Sequence, residues 1–216
     1  MKNKAFSQSK YIDDNRNIFS GSLDGLCFGL SLTWLDSKIK KRGFNKYSER
    51  TKIKSRVLTR QESMDRRIIR TPWNGDDKEY MMKQLRVTEG VFRSWGGIRG
   101  CEFIYSQAAY NNGSSYVLAN ELANQIIKPC FSAEVYGVIS IFSTGSAHSM
   151  AWSQKNEWYD FFDANTGSFL KIHEDHFSSF FTDHIRKYYS NFDAAWDIVK
   201  LGPPKKRGGL FSCFGR

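Results

Sequence analysis

A chain of 216 residues, 40% of them hydrophobic, can bury one substantial core without staples. Its four cysteines, Cys27, Cys101, Cys130 and Cys213, have no CxxC spacing, which argues against a small disulfide scaffold and for free thiols in a reducing compartment. Lys and Arg outnumber Asp and Glu by 32 to 22, for a net charge of +10; no apolar run approaches the ~20 residues that span a bilayer, and no signal-peptide core follows Met1-Lys2-Asn3-Lys4.

In chain order, residues 1–20 are polar, with Asp13-Asp14-Asn15-Arg16-Asn17 in their midst, and read as a flexible lead-in to a single domain over 21–201. From Cys27 to about Lys40, Leu30, Trp34, Leu35 and Ile39 recur at helical spacing, and Ser22 or Asp24 can cap the first turn. Cys27 then stands at a helix N-terminus. Between Lys38 and Arg70 a dense run of Lys and Arg faces only Glu49, Glu62 and Asp65. That stretch reads either as a solvated, partly mobile loop region or as a surface for an anionic membrane, at about 1 kcal/mol per basic side chain near the lipid. Nucleic acid is not expected, because no zinc-finger, RRM or KH signature accompanies the charge.

Thr71-Pro72-Trp73-Asn74-Gly75 is a turn cluster, after which Asp76-Asp77 can cap a helix through Tyr80, Met81 and Leu85; Gly96-Gly97 and Gly100 break that pattern. Ser114-Ser115 precede a second amphipathic helix with Val117, Leu118, Leu122, Ile126 and Ile127 on one face, ending at Pro129. Then 134–142, 148–152 and 158–162, rich in β-branched and aromatic residues and separated by Gly, Ser or Asn, read as consecutive antiparallel strands. Asn165-Thr166-Gly167 turns into Phe169-Leu170-Lys171; a helix through Phe177, Phe180, Phe181 and Ile185 and a last strand over 195–201 complete an α+β fold. Gly202-Pro203-Pro204 ends order, leaving a basic, disordered tail over 202–216.

Three residues stand out together: Cys27, His148 in Gly145-Ser146-Ala147-His148-Ser149-Met150-Ala151-Trp152, and Asp163 in Phe161-Phe162-Asp163-Ala164-Asn165. Orphan amides and the dipole at a helix start stabilise a thiolate. A histidine can pair with that sulfur and pass its proton to a leaving amine, while a carboxylate fixes the ring. Neighbouring strands bring His148 and Asp163 together if both face the helix.

These motifs resemble the YopT-type cysteine protease family: Gly25-Leu26-Cys27-Phe28-Gly29-Leu30-Ser31 with Trp34, Ala147-His148-Ser149-Met150-Ala151, and Phe162-Asp163-Ala164-Asn165 with Gly167 and Phe169, at separations of roughly 120 and about 15 residues. The resemblance implies a papain-like catalytic domain over 21–201, its N-terminal catalytic helix packed on an antiparallel sheet flanked by helices. Cys27 would be nucleophile, His148 base then acid, Asp163 orienter. The oxyanion donor in such a fold lies five or six residues before the nucleophile, which makes Ser22 the candidate, with Gly21 beside it. The resemblance further implies an effector or toxin domain secreted by a bacterium into a host cell, acting in the host cytosol or at the inner membrane face on a host protein such as a prenylated Rho-family GTPase. No cofactor is implied, and a monomer is the default. Only 26 residues precede Cys27, fewer than the secretion and chaperone-binding segment of YopT-type effectors.

Competing readings keep other chemistry in view. The same triad serves glutamine deamidase and transglutaminase toxins, and a basic membrane- or GTPase-binding module could use the scaffold without catalysis. His173 and His176 with Glu174 and Asp175 suggest a metal at first sight, but acidic residues favour a helix start in any case, and no metal is expected. Lys205-Lys206-Arg207 ahead of Cys213 pairs a basic cluster with a lipidatable cysteine, a combination able to hold a protein at a membrane; Cys213-Phe214-Gly215-Arg216 is a poor prenylation box.

Overall fold

The computed structural model describes residues 1–19, 25–70, 77–111 and 113–205. Its elements are β1 (Lys2–Lys4), α1 (Gln8–Asp13), α2 (Cys27–Ile39), α3 (Phe44–Ser48), α4 (Thr51–Ile69), α5 (Asp77–Ile98), β2 (Cys101–Tyr110), α6 (Ser115–Ile127), β3 (Glu134–Ser143), β4 (Ser146–Lys155), β5 (Trp158–Asp163), β6 (Gly167–His173), α7 (Glu174–Tyr188) and β7 (Ala195–Pro204). The strands form one antiparallel 7-stranded sheet in the order β1-β6-β5-β4-β3-β7-β2.

The alternation of side chains along a strand decides what packs where. On β3, Tyr136 and Val138 join one core with Leu30, Trp34 and Leu35 of α2, Val57 of α4 and Phe92 of α5. Val135, Ile139 and Ile141 join the other, with Leu118 and Leu122 of α6 and Phe177, Phe181 and Ile185 of α7. Helices therefore cover both faces, so the central strand reads as a near-continuous apolar run despite being antiparallel. Trp34 stacks on Phe162 at 5.8 Å between centroids and donates from Nε1 to Ser168 Oγ at 3.1 Å, pinning α2 to the sheet.

Three parts differ from the sequence expectation. Residues 1–19 are not a loose lead-in: β1 pairs with the edge of β6, and Tyr11, buried, donates from its hydroxyl to Ser48 O at 2.9 Å. Gly167 makes that seat, because a Cβ there would come within 2.4 Å of Lys4 O. The basic stretch is also ordered, as α3 and α4: Ile53, Val57, Gln61 and Met64 lie on the buried face of α4, while Lys52, Arg56, Arg66 and Arg67 are exposed. Helical spacing was present there, hidden by the density of charge. Finally, β7 continues past Leu201 to Pro204; there only β2 pairs with it, so proline's missing N–H costs no ladder bond on the β3 side.

Gly96 and Gly97 do not end α5. A Cβ at Gly96 would meet Leu201 Cδ1 at 2.3 Å, so this glycine serves close packing of the helix on β7, and the chain turns instead at Gly100, with φ +72. Beyond it lies β2, for which the sequence offered no distinct signal.

Candidate active site

Helix α2 begins at Cys27 without a side-chain cap from Leu26. Amides of its first turn would be orphaned, and two glutamines from elsewhere take some of them: Leu26 N donates to Gln8 Oε1 at 2.9 Å and Gly29 N to Gln61 Oε1 at 3.1 Å. Neither glutamine takes the amides of Cys27 and Phe28. Gly29 is a close-packing residue, since a Cβ would come within 2.4 Å of Val57 O on α4. Farther along α2, buried Asp36 is gripped by Arg60 of α4 and Arg99 of α5, the latter with an Nη2–Oδ2 contact of 3.0 Å. The helix is thus fixed at both ends, and Cys27, a half-buried residue, sits on a rigid mount.

His148 and Asp163 come from β4 and β5. The register pairs Met150 with Asp163, which makes His148 the diagonal neighbour of the aspartate, within reach of a long side chain. Both are buried, at 4% and 0% exposure, and His148 Nε2 donates to Asp163 Oδ1 at 2.9 Å. The other ring nitrogen, Nδ1, is the one left to interact with the Cys27 thiol. By alternation His148 is in step with Met150 and Trp152, and Asp163 with Phe161, residues that pack with α6 and α7. The two do not face the catalytic helix directly, as the sequence reading required; α2 lies on the opposite face, and its N-terminus meets them at the end of the sheet.

Electrostatics follow from this geometry. Burial pushes the Cys27 thiol up, but the hydrogen bond and charge of His148, with backbone contributions from Ser149 and Phe28, outweigh it and hold the thiol below its ordinary value. Burial likewise pulls His148 down, yet its hydrogen bonds to Asp163 and Cys27 and their charges carry it up to about 10. Asp163 is held well below the usual carboxylate range: burial raises it, and hydrogen bonds and charge from His148 and His184 more than reverse that. Both shifts run in the direction that favours a thiolate–imidazolium pair. Cys101 provides the contrast, for burial pushes its thiol up to about 11.

The model of the family described as Yersinia/Haemophilus virulence surface antigen, Peptidase C58, matches residues 3–194. The chain belongs to this family. It is a cysteine peptidase with the papain-like cysteine protease fold. The crystal structure of the Pseudomonas avirulence protein AvrPphB is similar to it, with a TM-score of 0.61 over 92% of this chain and 97% of that chain at 14% identity. A ubiquitin-specific protease encoded by a murine cytomegalovirus tegument protein aligns with a TM-score of 0.46 over 98% of this chain and 90% of that chain, at 13% identity. A search of the curated proteins by sequence finds no match.

In this C58 peptidase the aspartate has partners that sequence reasoning missed. His184 of α7 donates from Nε2 to Asp163 Oδ2 at 2.8 Å, and the Tyr189 hydroxyl lies 2.8 Å from both carboxylate oxygens and 2.9 Å from His148 Nε2. Asn165 N and Thr166 Oγ1 add bonds of 2.9 Å each. The Tyr189 ring stacks on His148 at 4.7 Å and 19°, closing one side of the imidazole. Burial and the neighbouring Asp163 push the Tyr189 phenol well above its usual range, so it remains a donor. One signal for His184 was available: it falls in step with Phe177 and Phe181 on the apolar face of α7, where a histidine needs a polar partner.

Ser22, the expected oxyanion donor, lies outside the described residues, as do Cys213 and the tail over 206–216. His173 caps α7, its ring accepting from Asp175 N at 3.4 Å, with Glu174 and Asp175 in the first turn. Among the described residues no helix is long and apolar enough to cross a membrane.

Proposed function

We propose that this peptidase is a bacterial effector endopeptidase delivered into a host cell, where it cuts a membrane-associated host protein, a prenylated Rho-family GTPase being the leading target. Cys27 Sγ attacks the scissile carbonyl as the thiolate, the carbonyl π pair moves onto oxygen, and collapse of that intermediate breaks the C–N bond as His148 hands its proton to the leaving amine. A water, deprotonated by the now neutral His148, hydrolyses the thioester and regenerates the ion pair. Asp163 keeps the imidazole in the tautomer that presents Nδ1 to sulfur. The observation that carries this reading is the 2.9 Å contact of His148 with a carboxylate held ionised, beside a cysteine whose thiol is lowered.

Support for a membrane-proximal target comes from charge. Lys40, Lys41, Arg42, Lys46, Arg50, Lys52 and Arg56 are exposed on α3, α4 and the loop before them, next to the helix that carries Cys27. At about 1 kcal/mol per basic side chain near an anionic leaflet, a few of these suffice to hold the enzyme against lipid. The test is expression of wild type and Cys27→Ala in eukaryotic cells, comparing membrane-bound Rho GTPases and protein termini by mass spectrometry. New termini or GTPase release with wild type alone supports the reading. Intact targets about one dalton heavier would replace it with a deamidase, and identical cells would leave a non-enzymatic module.

A further inference from the structure

The N–H and C=O groups of Ser149, the residue after His148, are turned out of the sheet ladder. Successive residues of an antiparallel strand point these groups to opposite neighbours. Phe142 O accepts from Ala194 N at 3.0 Å, which puts the groups of Phe142, and those of Ser140 two residues before it, on the β7 side of β3. Ser140 N agrees, donating to Asp197 Oδ1 of β7 at 2.9 Å. Ser140 is the register partner of Ser149, so these two form a pair without mutual ladder bonds and Ser149 faces β5. There the ladder has already stopped: the last pair of β4 with β5 is Met150 with Asp163, and Ala164 O beyond it accepts from Gln8 N at 2.7 Å. Helix α2 takes up both groups. The Ser149 amide hydrogen-bonds to the Cys27 sulfur, and Ser149 O accepts from Ser31 Oγ at 3.1 Å. Cys27 and Ser31 stand one turn apart on the same helix face, so a single residue of β4 bridges that turn.

We propose that Ser31 is a positioning residue for the reaction: by holding the Ser149 carbonyl it keeps the Ser149 amide on the Cys27 sulfur and, through the adjoining peptide bond, fixes the approach of His148. The other buried hydroxyls of α2 provide the contrast. Thr33 Oγ1 and Ser37 Oγ bond back to their own helix, at Gly29 O and Trp34 O, each at 2.7 Å, which is the ordinary use of such a group inside a helix. Ser31, equally buried, reaches across to β4 instead. The inference rests on Cys27 being the nucleophile, and it gives a hydroxyl that never touches substrate control over the sulfur and the imidazole together.

The test reads the thiolate rather than the fold and needs no natural substrate. Alkylation of Cys27 by iodoacetamide is followed against pH in wild type, Ser31→Ala, Ser31→Thr and Ser37→Ala. The titratable groups that act on the sulfur are His148 of β4 and the Tyr189 hydroxyl beyond α7, with Asp163 of β5 behind the imidazole, and no variant changes a charge among them. Ser31→Ala releases the Ser149 carbonyl, and the midpoint of the profile should rise by about one pH unit, the scale of a weakened hydrogen bond to a charged group. Ser31→Thr keeps the hydroxyl and should keep the wild-type midpoint. Ser37→Ala removes a buried hydroxyl from the same helix and should lose comparable stability in urea, yet its profile should overlay wild type. A Ser31→Ala profile that overlays wild type would overturn the proposal. So would a Ser31→Thr midpoint as high as that of Ser31→Ala, or an equal rise in Ser37→Ala, which would trace the effect to general loosening of α2. Alkylation of wild-type Cys27 only in the ordinary thiol range would overturn instead the nucleophile reading beneath it.

Discussion

Two buried aspartates in the same sheet end in opposite states. Asp163, at the end of β5, accepts from His148, His184, Tyr189, Asn165 and Thr166 and stays ionised. Asp197, on β7, is equally dry, but among the described residues its carboxyl is supported by Ser140 alone, whose amide donates to Oδ1 at 2.9 Å, and its Oδ2 has no partner. Burial, helped by the charge of Glu89 and opposed by Ser140, pushes Asp197 up to about 8. Burial with few donors therefore favours a neutral carboxyl; what keeps Asp163 ionised is its crowd of donors, two of them histidines.

The largest test of that contrast is Asp163→Asn. The amide can no longer hold the ring in one tautomer by charge, and its single oxygen leaves one of His148 and His184 facing an NH2 group in place of an acceptor; acetylation of Cys27 by p-nitrophenyl acetate should fall by about 10²- to 10⁴-fold, on the scale seen when a triad carboxylate is replaced. A fall under tenfold would show that the other donors, and not the carboxylate, position the imidazole.

Tyr189→Phe keeps the ring stacked on His148 and removes one donor from the anion. Loss of a hydrogen bond to a charged group should cost about 1.5–3 kcal/mol in urea unfolding, with a smaller loss of acetylation than Asp163→Asn. An unchanged midpoint would remove the tyrosine from the network.

Asp197→Asn should act least, and in a pH-dependent way. A carboxyl whose pKa is raised on folding contributes fully below its unfolded value near 4, and that contribution is lost as pH rises through about 8. Variant and wild type should melt together near pH 4, and the variant should gain relative stability as pH climbs to 8. Parallel melting curves at every pH would mean that Asp197 is ionised throughout. Acetylation should be unchanged near pH 5.

Much of this arrangement was legible in the chain, for a physical reason. Cys27, His148 and Asp163 lie in short motifs whose local structure, a helix start and two tandem strands, is written in period and turn residues, so their convergence could be read from connectivity. His184 and Tyr189 come from the end of α7, on the same face of the sheet as His148 and Asp163, and meet the aspartate because α7 folds back over β5 and β6; the apolar face of α7 shows that His184 needs a polar partner, but not which one. The strap of residues 1–19 escaped notice because its burial is carried by a few anchors, Phe6, Tyr11 and Phe19, in otherwise polar sequence. In α4 the repeat of Ile53, Val57 and Met64 was outweighed by basic residues on the other faces. Composition hid a period there, and helix packing on α2 revealed it.

The central claim is that Cys27 and His148 form an ion pair, and the rate of iodoacetamide alkylation at Cys27 against pH reads it directly. In wild type the rate should stay high well below the ordinary thiol range, where Cys101 is unreactive, and in His148→Ala it should shift up toward an ordinary or higher thiol value. Superimposable profiles for the two proteins, with reactivity appearing only at alkaline pH, would contradict the account.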